Sequence, residues 1–493
     1  LEKKESGSAR EEGNTGDAGG QCHDICPTGS EPEDGLVAAR ILKTLADSEL
    51  TDDGNAQRLV TFLQGRMRYV PERKQWFRWD QRSWIPDSDG SIYRELRRMR
   101  HLLGIVAARI DNEKRRKALE KQVARLGSKA KISAAVELAA SIEGVPLHHE
   151  DFDTDPWVFN TPNGTVDLRT GVVRPQRPND FITKLAGTTY LPNVTCPRWL
   201  QFLRELCCGD DDLVEYLQRA VGYSLTGSTT EHVLHIMVGG GANGKSTFLE
   251  TIRKVFGTYA RQADFSTFLE TKGDRVRNDL ACLVGARLVI AVEGDPEKAL
   301  AESTVKQLTG GDAISARFLF KEFFEYRPQL KLWLAANHRP SIKRCDKAMW
   351  RRIRLLPCDA DFSREDVRDK SLSQKLEAEL PGILAWALAG AVAWQRDGLT
   401  PPKTVTDATS DYREEQDTVG GFIEDRCVLE ASARERPKPL YLSYQNWCEE
   451  GNIEPLKASA FRAYLEGRKL VRKKSNGERR WRGIRLRKDV FPQ

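Results

Sequence analysis

Apolar and polar positions follow several different periods along this chain, and each change of period marks an element. Helical spacing holds from Leu36 to Gly65, from Tyr93 to about Glu143, from Pro197 to Leu225 and from Glu377 to Trp394. Trp76-Phe77-Arg78-Trp79 and Trp84, broken by Asp and Pro, predict a small aromatic-rich strand pair. The turn signals Asn163-Gly164 and Thr170-Gly171 separate short β-prone runs between Trp157 and Thr189, which predicts hairpins. Val233 to Val238 is an apolar run with the form of a buried strand, Arg287 to Glu293 has the form of a buried parallel strand ending in a carboxylate, and Leu330 to Ala336 is a third strand. After Gly310-Gly311-Asp312, the residues Ile314, Ala316, Phe318 and Phe320 alternate with Ser315, Arg317, Leu319 and Lys321, as one arm of a half-buried hairpin would. Near the C-terminus, Leu440 to Glu450 and Lys457 to Leu470 predict two helices, followed by two arms around the hairpin signal Asn476-Gly477.

Composition places these elements in a multidomain α/β protein. The 493 residues suffice for about three domains at roughly 150 residues each. Leu1 to about Gly35 is rich in Gly, Ser and Glu and predicts a disordered tail or linker, because so few apolar groups cannot offset the entropy of ordering. Thr400 to Gly421, rich in Pro, Thr and Asp, reads as a polar linker. The longest apolar run, Ile383 to Trp394, is short, carries Gly390 and predicts a buried helix rather than a membrane span. Ten cysteines at irregular spacing, with Cys207-Cys208 adjacent and no paired CxxC units, are expected of reduced thiols in an intracellular, cytoplasmic protein. Cys22-His23 and Cys26 lack a second ligand pair for zinc. A first residue of leucine suggests a fragment or processed product.

Net charge is only +6, so any nucleic-acid contact depends on where the charge sits. Lys114-Arg115-Arg116-Lys117 reads as a solvated helix face. The last helix and hairpin concentrate cations, among them Lys473, Lys474, Arg479, Arg480 and Arg482, against few acids, which favours a phosphate backbone. Trp481, between them, is expected to pack the hairpin onto its domain.

The chemistry centres on Gly239-Gly240-Gly241-Ala242-Asn243-Gly244-Lys245-Ser246, which fits the phosphate-loop pattern, with Thr247 opening a helix spaced by Leu249, Ile252, Val255 and Phe256. Backbone N–H groups there can cradle a triphosphate, Lys245 reaches its outer phosphates and Ser246 can ligand Mg2+. The second apolar run ends in Glu293, positioned to polarise water or hold Mg2+ through water, with Asp295 as a second candidate. The third ends in Asn337-His338-Arg339-Pro340, where an amide can orient water against a γ-phosphate. Arg351 and Arg352 follow Trp350, and either guanidinium suits a phosphate on a neighbouring subunit.

In this order the chain carries Gly-x-x-x-x-Gly-Lys-Ser, Val-Glu, Leu-Thr-Gly-Gly-Asp-x-Ile-x-Ala-Arg, Asn-His-x-Pro and Trp-Arg-Arg-Ile. It resembles the superfamily-three helicases, specifically the helicase half of phage and plasmid primase-helicases, related to the poxvirus primase-helicase. The resemblance covers roughly Leu36 to Lys488 and is most specific from Gly239 to Phe362. It implies a P-loop, AAA+-like ATPase core in a ring, usually hexameric, that uses ATP and Mg2+ and translocates on single-stranded and forked DNA. It places Asn337 at the sensor position, Arg352 or Arg351 at the arginine finger, and Arg317 and Lys321 on a hairpin in the central channel. Many relatives have two adjacent acids where this chain has Val292-Glu293, which leaves the water-holding group open between Glu293 and Asp295.

The domain plan that follows is a tail over 1–35, a helical and mixed collar region over 36–225, the ATPase over 226–395, a linker over 396–421 and a winged helix over 422–488. A primase-polymerase is expected upstream or on a separate chain; Asp151-x-Asp153 lacks the preceding hydrophobic strand of such a site. Two other readings stand beside the helicase: a nucleotide-dependent origin-binding initiator or scaffold, and a small-molecule kinase, which would leave the basic C-terminal module without a role.

Overall fold

A computed structural model describes residues 40–270, 278–292, 299–317, 323–342, 347–363, 369–451, 453–475 and 478–487. The expected tail over Leu1 to Gly35 lies outside them. The chain forms two compact units, Leu1–Gly65 with Asp89–Val145, and Arg66–Ser88 with Pro146–Gln493.

The first unit is helical, with Asp52–Leu63, Ser91–Ala108, Glu113–Arg125 and Lys129–Ala139 as its main elements. Three of these start at side-chain caps: Thr51, Asn112 and Ser128 accept from the backbone N–H groups of Gly54, Arg115 and Lys131. The apolar stripes of the helices meet in a core that includes Leu59, Leu63, Leu96, Met99 and Leu103. The basic run is paired from within the unit, Lys117 with Glu113 at 2.6 Å and Arg115 with Asp47, the behaviour of a solvated face.

In the second unit, the aromatic stretch forms three antiparallel strands, Met67–Val70, Gln75–Trp79 and Trp84–Pro86, one more than the expected pair. Val158–Thr161, Gly164–Asp167 and Val173–Arg174 form the expected hairpins. Helices α1 (Pro197–Leu206) and α2 (Asp211–Leu225) lead to a five-stranded parallel sheet. Its strands are β1 (Leu234–Val238), β2 (Ala260–Asp264), β3 (Leu288–Val292), β4 (Lys331–Ala336) and β5 (Ile353–Pro357), in the spatial order β5-β1-β4-β3-β2.

Alternate residues of these strands feed two cores, which explains their continuous apolar runs. Met237, Ile290, Trp333 and Ala335 face one side, packed with Phe248 of α3 (Lys245–Phe256). Ile236, Val289, Ala291 and Leu334 face the other, packed with Val305 and Leu308 of α4 (Glu302–Gly310). The register sets Ala336 beside Val238 and Ala335 beside Val292, so three strands reach the same carboxyl edge together.

The apolar helix α5 (Leu380–Asp397) is buried against α2, as its composition predicts. Gly222 and Gly390 let the two backbones touch, because a Cβ on Gly222 would sit 2.1 Å from the Ala391 nitrogen and one on Gly390 2.1 Å from the Gln218 carbonyl oxygen. Among the described residues no single helix is long and apolar enough to cross a membrane.

The stretch expected as a linker is instead two helices, α6 (Lys403–Gln416) and α7 (Thr418–Arg426). Val405 and Tyr412 of α6 are fully buried, in different cores, and Ala408 packs against the core of Tyr412; this i, i+3, i+7 spacing is too sparse to outweigh the surrounding polar residues in sequence. Beyond it, α7, α8 (Pro437–Glu450) and α9 (Ala458–Gly467) enclose Phe422, Leu440, Tyr444, Phe461 and Leu465. Trp481, 2% exposed, joins that core from the ribbon Val471–Ser475/Glu478–Arg482, the packing role expected of it.

Candidate active site

The phosphate-loop segment leaves β1 at Val238, and three of its glycines, Gly239, Gly241 and Gly244, are required by contact or by conformation. A Cβ on Gly239 would lie 2.3 Å from the Cys358 carbonyl oxygen and 1.9 Å from the Asn243 amide nitrogen. Gly241 and Gly244 have φ of 104° and 80°, which L side chains rarely adopt, and a Cβ on Gly244 would also press on Phe362 at 3.0 Å. Helix α3 begins at Lys245, so its first N–H groups face the same space as the loop.

Asn243 ties this loop together. Its Nδ2 donates to the Cys358 carbonyl at 3.0 Å, and its Oδ1 accepts from Lys245 Nζ at 2.9 Å, while that Nζ also donates to the Gly239 carbonyl at 2.6 Å. The chain after β5 holds the loop from outside, with Cys358 N–H donating to the Val238 carbonyl and Phe362 N–H to the Ala242 carbonyl, both at 2.8 Å. Sequence reasoning placed Asn243 in the loop but missed Cys358 and Phe362, which no motif marks.

The loop opens on a cleft of about 210 Å³ lined by Gly241 to Thr247, Val292, Ala335 and Asn337. The sheet thus brings together the phosphate loop on β1, the end of β3 and the amide that follows β4. Asn337 and Ser246 are exposed to the cleft, and Lys245 is 5% exposed. Glu293 follows Val292 directly in sequence; Glu293, Asp295 and the hairpin residue Lys321 lie outside the described residues. Among the described residues no cluster of three or more His, Cys, Asp or Glu side chains can hold a metal ion. A divalent ion carried on nucleotide phosphates does not need one, because Mg2+ takes few protein ligands and keeps several waters, and the Ser246 hydroxyl at the start of α3 fits that use.

The two arginines after Trp350 differ sharply. Arg352 is 7% exposed and turned into its own chain, donating from Nε to Thr309 Oγ1 at 3.1 Å and from a terminal nitrogen to the Ala348 carbonyl at 2.6 Å. Arg351 is exposed. Arg317 follows the strand Ile314–Ala316, which pairs with Phe324–Tyr326 as the expected hairpin. Its guanidinium lies 4.7 Å from the ring centre of Phe323, an aromatic 64% exposed that the sequence reading passed over.

On the C-terminal ribbon, Lys473 pairs with Arg480, Lys474 with Arg479 and Val471 with Arg482. A third short strand, Arg434–Glu435, adds Arg434 beside Arg482. Strand alternation puts Arg434, Lys473, Arg480 and Arg482 on the face opposite Trp481, and Lys474 and Arg479 on the face of Trp481. Arg434 could not be found from sequence, since a two-residue strand carries no period.

In sequence the chain is similar to viral proteins. Residues 56–208 match the family described as D5 N terminal like, 237–352 a family of unknown function and 414–477 the Poxvirus D5 protein-like family. The chain is 26% identical over 353 residues to the helicase-named protein L207/L206 of Acanthamoeba polyphaga mimivirus, covering 67% of this chain and 37% of that one. It is 26% identical over 258 residues to the helicase-named protein 022R of Frog virus 3, covering 48% of this chain and 26% of the relative. The chain therefore spans only about a quarter to a little over a third of these curated relatives. Among solved structures, the C-terminal region of NrS-1 aligns with 86% of this chain and 97% of its own at 10% identity and a TM-score of 0.49.

Proposed function

The chain belongs to the family of phage and viral primase-helicases, and from that premise we propose that it is an ATP-driven DNA helicase that acts as a ring, the helicase part of a primase-helicase. The observation that carries the reading is the single cleft shared by the phosphate loop, the end of β3 and Asn337. In this proposal the loop N–H groups and Lys245 bind the triphosphate, and Ser246 with the nucleotide's phosphates holds Mg2+, which would neutralise phosphate charge. Glu293 accepts a proton from the attacking water, with Asp295 as the alternative, and Asn337 orients that water against the γ-phosphate. The exposed Arg351, rather than the inward-turned Arg352, is then the arginine offered to the neighbouring subunit's nucleotide.

In this reading the C-terminal module acts as a winged helix, which its helices and paired ribbon support, and its cationic ribbon face suits duplex phosphates. The hairpin bearing Arg317 and Lys321 is the proposed contact to single-stranded DNA in a hexameric channel.

Lys245→Ala and Glu293→Gln test the reading by nucleotide binding, ATP hydrolysis and unwinding of a forked duplex. Lys245→Ala should weaken nucleotide use, Glu293→Gln should bind nucleotide without hydrolysing it, and both should abolish unwinding. Native hydrolysis by Glu293→Gln moves the base to Asp295. Nucleotide binding and hydrolysis without unwinding by the wild-type chain would favour an initiator or scaffold instead.

A further inference from the structure

The C-terminal end of helix α6 is bonded to two parts of the molecule with different tasks. On the sheet side it holds the segment that follows Asn337. The buried Tyr412 donates its hydroxyl proton to the Pro340 carbonyl, Gln416 Oε1 accepts from the Ile342 N–H at 2.9 Å, and Glu415 is ion-paired with Arg339. Tyr412 is fixed in turn by an edge-on contact with Trp350 at 5.1 Å, next to the exposed Arg351.

At this same end α6 passes straight into Asp417, which caps α7 through Oδ1 and the Gly420 N–H at 2.8 Å. The second carboxylate oxygen accepts from the Tyr464 hydroxyl at 2.5 Å and from the Arg468 guanidinium at 3.2 Å. Tyr464 lies in the last turn of α9 and Arg468 caps its end, just before the cationic ribbon begins at Val471. Gly420 makes room for this junction, because a Cβ there would lie between 2.4 and 3.0 Å from the Asp417 carboxylate. These anchor points, Tyr412 to Asp417, lie on consecutive turns of one helix end with no intervening loop between them.

We infer that the C-terminal end of α6 is a rigid strap through which DNA on the basic C-terminal module shifts the position of Asn337, making Tyr412 and Tyr464 positioning residues for the DNA-stimulated part of hydrolysis alone. The inference rests on the proposed sensor role of Asn337 and extends it with a route by which DNA on the module stimulates turnover. A shift of α9 on docking DNA pulls on Asp417, and the last turns of α6 carry that shift to 339–342, two to five residues beyond the sensor amide. Aspartate suits the junction because one carboxylate holds the start of α7 and two groups of α9 together.

The test compares the full chain with Tyr412→Phe, Tyr464→Phe and the double variant. Each single change removes one hydroxyl and keeps the ring, so packing survives. Steady-state kcat and KM for ATP are measured with and without a forked DNA oligonucleotide, alongside DNA affinity. Each single variant should lower DNA stimulation of kcat by about fivefold or more, with DNA-free kcat and DNA affinity unchanged. The double variant should be no worse than the more impaired single one, because both sever the same connection. Full stimulation in either single variant, or effects that simply add in the double, would overturn the strap. So would a wild-type chain that hydrolyses ATP with no response to DNA. A failed nucleotide site looks different: Lys245→Ala would then hydrolyse ATP as the wild type does, whereas a failed strap leaves Lys245→Ala inactive and the tyrosine variants fully stimulated.

Discussion

His235 sits in the middle of β1, the strand that presents the phosphate loop, and is fully buried. Its ring stacks on Trp333 of β4 at 4.2 Å, its Nε2 is 3.2 Å from the Tyr216 hydroxyl, and Nδ1 is buried without a partner among the described residues. Arg354 is its register partner on β5. Burial drives the imidazole pKa from its ordinary 6.5 down to about 3, with the Arg354 guanidinium adding to the effect. The folded protein therefore refuses a proton that the unfolded chain takes up below about pH 6.5. Stability from the neutral ring is complete above that value and is lost as pH falls toward 3. Each pH step inside the window costs about 1.4 kcal/mol, and integration from pH 7 to pH 5 gives a loss of about 2 kcal/mol.

The perturbation that isolates this loss is His235→Gln, which cannot ionise but retains an acceptor for Tyr216. Urea unfolding of the protein, followed by tryptophan fluorescence at pH 7 and pH 5, should show the wild type losing about 2 kcal/mol more than the variant between the two conditions. Carboxylates held at low pKa contribute equally to both proteins and cancel in that difference. Equal losses in wild type and variant would refute the reasoning and mean that the buried ring accepts its proton without disturbing the sheet.

Two further outcomes test the shared site and the ribbon. Mixing Lys245→Ala with Arg351→Ala chains, each nearly inactive alone, should partly restore ATP hydrolysis where an intact pocket meets an intact arginine; verified mixed rings without recovery would reject Arg351 as the trans group. Replacing Lys473, Arg480 and Arg482 together by alanine should flatten the salt dependence of duplex binding by about 0.9 in the log–log slope for each phosphate that the ribbon no longer neutralises, and an unchanged slope would remove that face from the DNA interface.

The sequence by itself determined the elements whose signal is local and repeated. The continuous apolar runs of β1, β3 and β4 encode strands buried on both faces, and the spacing of glycines before Lys245 and Ser246 encodes a loop that only small residues permit. The pair Asn476-Gly477 encodes the ribbon, whose register joins Ser475 to Glu478 across it. Tertiary structure alone decided what depends on a partner distant in the chain. Polar composition marked Thr400 to Gly421 as a linker, yet Val405 and Tyr412 find buried places in the cores on either side of the sheet, and that packing turns a weak helical stripe into α6. Arg351 and Arg352 are chemically equal neighbours in sequence, and only the positions of Thr309 and the Ala348 carbonyl turn one inward and leave the other exposed. The same holds for Asn243 and Cys358, whose bond spans 115 positions: local patterns report the conformational needs of a residue, and the choice among its hydrogen-bond partners is made only when the strands assemble.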